Sequence, residues 1–345
     1  MTRLIAFLVA ALLPSATWAA EAGQEFYKFE PTSMLLSTLG VIYTIAMVFL
    51  FLYVGWWSKK RVATSDDYFA AGRNVGGITN GLAMTSNYMS LATFLGFTAL
   101  LWKLQFFLVA IVFSFLGGGF VMISIAIAPS LRRWGKFTSM QFIGERFGQT
   151  TKIIAVLCMI LLAQFYLIGQ MKGVGNVFQV MFHWDYTTGL IVGGLVVTAY
   201  VTMGGMYGLS YNQTLQAIIM GIALFVPAVI ILWKLNAGPA SLFPPFGYGD
   251  LVPQMKEALP SYFDPFLTVN GTLPMSLKFH TAIMLSIAFG TIGLPHIAMR
   301  YFTAPSVRNA KVSTLWGILF VGIVFFTTFA IGFAAKLYTV QELAP

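Results

Sequence analysis

Charge is what this chain has least of. Asp, Glu, Lys and Arg make up only 9% of its 345 residues, against 58% apolar, and the mean hydropathy is +0.80. A soluble domain of this size needs several times more charge to cover its exterior. The composition therefore excludes one and describes a polytopic membrane protein. Cysteine is just as scarce. The single Cys158 rules out a disulfide framework and any Cys/His metal spacing. Its place in the apolar run KIIAVLCMILL reads as a small buried core residue. No nucleophile–base pair, paired carboxylates or metal cluster is apparent, so neither an enzyme nor a bound cofactor is expected.

Negative charge is scarcer than positive. There are 11 carboxylates against 20 Lys and Arg, and every carboxylate falls outside the expected spans. A proton-driven carrier usually keeps a titratable carboxylate at mid-membrane depth. With none there, a coupling cation has to be held by neutral oxygens. The net charge of +9 does not point to nucleic acid, because the basic residues sit in short loops between apolar runs, where the positive-inside rule puts them.

The first 19 residues carry one basic residue, a short apolar stretch and a small-residue ending at Thr17-Trp18-Ala19. That is the pattern of a cleaved signal peptide, with a retained short anchor as the alternative. Eight further runs reach the length of about 20 residues that a spanning helix needs. They fall near 35–57, 80–101, 105–129, 151–172, 187–203, 213–234, 276–298 and 312–336. An outside N-terminus places Lys59, Lys60, Arg61, Arg73, Arg132, Arg133, Lys136, Arg146, Lys152, Arg300, Arg308 and Lys311 in inner loops. The bias favours that orientation. No basic residue lies deep in an expected span. The segment 236–275, with FPPFGYGDLVP, cannot continue a helix past its prolines. It reads as an outer loop, either covering a vestibule or simply connecting.

Two of the spans are interrupted. NGLAMTSNYMSLATFLGFTALL (80–101) has no charge, yet it crowds Thr85, Ser86, Asn87, Tyr88 and Ser90 into one stretch. Such residues compete for backbone hydrogen bonds, and irregular backbone at membrane depth is tolerated only where it lines a cavity or is buried in protein. Close packing of hydroxyls against neighbouring helices is the other reading. In MLSIAFGTIGLPHIAMRYF (284–302), Gly290, Gly293 and Pro295 permit a second break. A pair of interrupted helices points to a binding site between repeats, and second and seventh positions suit a five-helix repeat. His296 is either a ligand or proton carrier or, more simply, a hydrogen-bonded structural residue.

SDDYFAAGRNVGGITNGLAMTSNYMSLATFLG (65–96), YLIGQMKGVG (166–175), TMGGMYGLSYNQTLQ (202–216) and GTIGLPHIAMRYFTAPSVRNAKV (290–312) occur in order. In these stretches the chain resembles the sodium:solute symporter family, and within it the bacterial cation/acetate (monocarboxylate) branch. The resemblance runs from about residue 30 to the end. It implies an all-α polytopic membrane protein with the inverted five-helix-repeat (LeuT-like) transporter fold, forming one domain over 20–345. It further implies Na⁺ held by the Ser86 and Met89 carbonyls, with Ser90, Asn87 and Tyr88 in the same break. The substrate, lying between the first, third and sixth core helices, would meet Thr93, Gln164, Gln170, Gly290 and Thr291.

Two departures qualify this. Related permeases often place an Asp in the stretch occupied here by SNYM, whereas this chain has Asn87. The chain also ends after the seventh core helix, so it corresponds to roughly the first two-thirds of a symporter, with the second repeat incomplete. The activity expected from the resemblance is sodium-coupled symport of a small monocarboxylate, such as acetate, across the bacterial inner membrane. The alternatives are the membrane sensor domain of a symporter-like histidine kinase, or a fragment that needs a partner subunit.

Overall fold

Helix α1, Met34–Lys59, is apolar throughout and stops where Lys59, Lys60 and Arg61 bring charge into the chain. A capping box then starts α2, Ser65–Ala70: the Thr64 hydroxyl accepts from Asp67 N at 3.2 Å, and Asp67 accepts from Thr64 N at 2.9 Å. This reciprocal pairing satisfies two backbone donors at once. The computed structural model describes residues 34–90, 93, 96–104, 107–134, 137–235, 238–263, 267–268, 273–274 and 276–342. The expected signal peptide over 1–19 lies outside the described residues.

The remaining long elements are helical. They are α3 (Gly77–Tyr88), α4 (Phe97–Leu104), α5 (Leu108–Trp134, with widened π-type turns over Ser114–Phe120 and Ile123–Ile127), α6 (Ser139–Phe147), α7 (Gln149–Phe182), α8 (Tyr186–Lys234), α9 (Leu277–Ile292), α10 (Pro295–Phe302) and α11 (Val307–Glu342). Short helical turns fill 239–263, and Leu267–Thr268 pairs antiparallel with Leu273–Pro274. Within the 236–275 segment Leu251, Met255 and Tyr262 are buried, and the Tyr262 hydroxyl donates to the Leu101 carbonyl at 2.8 Å.

Among the described residues, six helical stretches are long and apolar enough to span a bilayer, and none contains Asp or Glu. The eight expected runs reconcile with these as follows. Runs 187–203 and 213–234 are the two arms of α8, on either side of Gly205, which leaves helical geometry (φ 52°, ψ −151°). Run 80–101 is divided between α3 and α4.

The described residues fall into two compact units. The smaller joins the chain up to Leu50 to Lys172–Leu195. Within it Phe178 and Phe182 stack with centroids 5.3 Å apart, and Trp184 completes the cluster. The larger unit, Phe51–Met171 with Val196–Pro345, holds the main core of Met84, Leu101, Phe120, Ile123, Phe302, Phe329 and Phe333. At its centre α3 lies close against α11. A Cβ on Gly81 would stand 2.6 Å from the Trp316 Cβ, so glycine sets that approach.

Cys158 corrects an expectation: it is exposed, not buried. Ile154, Leu157, Leu161, Phe165 and Ile168 on the same helix are also exposed. Helix α7 is apolar on every side, so hydropathy alone does not tell its lipid face from a core face.

Outside the spans, Asp67 carries a pH dependence. The Thr64 hydroxyl, then the backbone N–H groups of Thr64 and Ala63, hold its carboxyl below the ordinary 3.8. A carboxylate lowered in the folded state stabilises above its unfolded value, and that support is lost as pH falls through the folded value. Protection of the Thr64 amide, corrected for intrinsic exchange, should therefore decline as pH drops below 3.8. Asp67→Asn should remove that decline, and an unchanged profile in the variant would count against the capping role.

Candidate functional site

Helix α3 ends where its polar residues begin to satisfy the backbone. Met89 N still bonds Thr85 O at 2.8 Å, but Met89 itself leaves helical geometry (φ −76°, ψ 56°). The Thr93 hydroxyl then donates to the Tyr88 carbonyl, and Thr93 N to Ser90 O at 3.0 Å. Thr93 therefore closes the break locally. Regular α-helix resumes at Phe97.

The second break has a different cause. Helix α9 stops with Gly293 N bonded to Gly290 O at 3.1 Å, Leu294 is extended, and Pro295 opens α10. Proline suits the first helical position because its missing N–H has no partner to lose there. Both interruptions read from the sequence are present.

They meet. Asn87 Nδ2 donates to the His296 carbonyl at 3.3 Å, so the C-terminal end of α3 touches the N-terminal end of α10. Gln213 Nε2 donates to Asn87 Oδ1 at 2.6 Å, and Ser86 Oγ to Gln216 Oε1 at 3.3 Å. Two amides three residues apart on α8 thus hold the last turn of α3. Gln213 Oε1 is buried with no hydrogen-bond partner among the described residues. Sequence reasoning did not single out Gln213 or Gln216. The available signal was a pair of amides at helical spacing opening a span with no charge before Lys234.

Thr291 is buried, bonded through its hydroxyl to Ile287 O at 2.8 Å, and packed where a Cβ on Gly119 would stand. Gly290 is exposed with open space around it. Gln164 is exposed and Gln170 half-buried. Among the described residues no hydrogen bond joins either to the breaks. Instead α7 reaches the second break through Tyr166, whose ring stacks on His296 at 5.5 Å and 29°.

Arg300 is a second correction. Read as an inner-loop cation, it lies inside α10 and is 2% exposed, because α10 continues to Phe302. Its Nη1 donates to Ser210 Oγ at 2.9 Å. Its carbonyl accepts from Asn80 Nδ2 and Thr303 Oγ1, each at 2.8 Å, and Asn80 Nδ2 also reaches Ser313 Oγ at 3.2 Å. This network ties α3, α8, α10 and α11 beneath the paired breaks.

The juxtaposition has an electrostatic consequence. A helix C-terminus presents carbonyls and partial negative charge, an N-terminus presents N–H groups and partial positive charge. Placing one beside the other gives neighbouring positions suited to a cation and an anion. Among the described residues no three His, Cys, Asp or Glu side chains come together to hold a metal. The oxygens near the breaks are neutral.

A solved structure, the substrate-bound outward-open state of a Na⁺-coupled sialic acid symporter with a novel Na⁺ site, shares this fold. The TM-score is 0.72 at 17% identity, over 90% of this chain and 62% of that one. This chain therefore spans about 62% of the length of the protein it matches. The sodium:solute symporter family profile covers residues 68–342. With spanning helices, paired breaks and that match in place, the chain is a multi-pass membrane protein that belongs to the sodium:solute symporter family.

Proposed function

We propose that the protein is a secondary active transporter that moves a small monocarboxylate, such as acetate, with Na⁺ across the bacterial inner membrane. Residues 20–345 would serve as its transmembrane domain behind a cleaved leader. Family membership indicates a transporter rather than an enzyme. The observation that carries the reading is the contact of the two interrupted helices at Asn87 and His296.

Sodium would take the Ser86 and Met89 carbonyls with the side-chain oxygens of Ser90 and Asn87. The carboxylate would lie toward the N-terminus of α10, near Thr291, Gly290 and Thr93, with Gln164 and Gln170 on the facing helix. No buried Lys or Arg is needed at that point, since a helix N-terminus attracts an anion. Cation and anion at adjacent helix ends stabilise each other. Sodium binding then raises substrate affinity and shifts the population toward the outward-open state.

The test is uptake of radiolabelled acetate by proteoliposomes carrying the full-length protein. An inward Na⁺ gradient should drive accumulation that an equal K⁺ gradient does not, and the acetate KM should fall as Na⁺ rises. Uptake indifferent to Na⁺ would defeat the coupling. Uptake of other solutes but not acetate would defeat the substrate assignment. If the Thr291 hydroxyl turns from the Ile287 carbonyl to donate to the bound carboxylate, Thr291→Val should cut uptake about tenfold, as expected for one lost hydrogen bond to a charged group, while leaving membrane insertion intact. Undiminished uptake would return Thr291 to packing alone.

A further inference from the structure

Where α1 ends, a cavity of about 370 Å³ is lined by Lys59, Val62, Tyr68, Thr202 and Met203. Its wall is divided by chemistry. Lys59 contributes an ammonium, while Val62 and Met203 contribute hydrocarbon. The Tyr68 hydroxyl donates to the Thr202 carbonyl at 3.3 Å, so its oxygen keeps acceptor capacity only. Lys59 is therefore the cavity's side-chain cation.

The neighbouring cations have protein partners. Lys60 Nζ lies 4.0 Å over the Trp56 ring. Arg61 lies 4.0 Å over Trp57 and donates to the Tyr207 hydroxyl at 3.1 Å. Arg73 is paired with Asp66 at 2.9 Å. Lys59 is exposed and, among the described residues, has no carboxylate within ion-pair reach and no ring beneath it. One cation of the basic run 59–61 is thus left to the cavity while the other two lie over tryptophans.

Position narrows the ligand. Lys59 closes the 22-residue apolar stretch Thr38–Lys59, which sets it at headgroup level. Exposed Tyr53 and Trp56 in the last turns mark the same depth, since aromatic rings with a polar edge gather at the membrane–water boundary. A soluble dianion calls for several converging donors, whereas a phosphodiester with attached hydrocarbon matches one ammonium beside an apolar wall.

We propose that this cavity is a binding site for an anionic glycerophospholipid, with Lys59 on the phosphodiester oxygens and Val62 and Met203 against the glycerol and upper acyl chain. The inference does not depend on which solute the protein carries.

Native mass spectrometry of the detergent-solubilised full-length protein tests it, using phosphatidylglycerol, phosphatidylcholine and inorganic phosphate as separate probes. Phosphatidylglycerol should be retained as a discrete adduct and phosphatidylcholine should not. Lys59→Gln should weaken retention about fivefold, the effect of one basic residue near an anionic surface, and Lys60→Gln should change it little. Met203→Trp, which fills the cavity without touching charge, should also remove the adduct from protein that still elutes as a single species. Equal retention of both lipids, or an adduct unchanged in Lys59→Gln and Met203→Trp, would overturn the proposal. Displacement of the lipid by millimolar inorganic phosphate would also overturn it, identifying a soluble anion as the occupant.

Discussion

Gly205→Val is expected to abolish accumulation of folded protein. The residue sits at φ 52°, ψ −151° inside α8, a region only glycine occupies without cost. Forcing a β-branched residue there costs about 1–3 kcal/mol in backbone strain alone. Space compounds the penalty. A Cβ at Gly205 would stand 2.7 Å from the Tyr68 carbonyl oxygen and 2.7 Å from its ring, and a backbone carbonyl cannot rotate away as a side-chain tip can. Overpacking adds about 1–3 kcal/mol or more, and the two effects together reach the lower end of an ordinary domain's stability, about 5–15 kcal/mol. The kink also sets where Thr202 receives the Tyr68 hydroxyl, so relaxing it disturbs the α2 connection as well. The measurement is yield of monodisperse protein after membrane extraction. Gly205→Ala should give a reduced yield. Gly221→Ala, on the same helix with nothing within 4 Å of the new methyl, should match the parent. Parental yield from Gly205→Val would show that the kink is dispensable.

That glycine also shows where reading the sequence stopped short. GGMYGLSYN, with three glycines and several polar residues, separates the apolar runs 187–203 and 213–234, which read as two spans. The chain instead stays helical on both sides of Gly205. Ser210 and Thr214 return their hydroxyls to the Met206 and Ser210 carbonyls, each at 2.8 Å, so these side chains need no water. The two breaks were legible for local reasons: Gly293 and Pro295 carry backbone preferences that neighbours do not override, and the TSNYMS hydroxyls compete with the helix wherever they lie. The partners of those breaks were not legible. Asn87 finds Gln213 across 126 positions and His296 across 209, a pairing no local pattern encodes. Arg300 was misplaced for a related reason. A cation that follows an apolar run reads as an inner-loop residue, but Ser210, 90 residues away, accepts its Nη1 within the core.

Asn87→Leu should raise the Na⁺ concentration for half-maximal uptake at least tenfold, with much of the maximal rate lost. Leucine matches asparagine in size but neither donates nor accepts. The change strips the Gln213 amide of the acceptor it meets at 2.6 Å and the His296 carbonyl of its donor at 3.3 Å. Each group left unpaired in a buried setting costs about 1–3 kcal/mol, and 1.4 kcal/mol is a factor of about ten in an equilibrium constant. Both losses fall on the contact between α3 and α10, where the proposed cation and carboxylate positions adjoin. Asn87→Asp separates the electrostatic contribution from the structural one. It keeps an acceptor for Gln213, gives up the donor to His296, and adds a negative charge beside the proposed Na⁺ position. A cation gains from a nearby opposite charge at low dielectric, so this variant should need less Na⁺ than the parent even if its turnover falls. Gln213→Leu combined with Asn87→Leu should cost less than the sum of the two single changes, because each removes the same hydrogen bond. Sodium titrations of uptake, paired with thermal midpoints of the purified variants, read both effects. If Asn87→Leu lowers the midpoint while Asn87→Leu and Asn87→Asp both keep the parental sodium dependence, Asn87 is a strut between helices and the cation lies elsewhere.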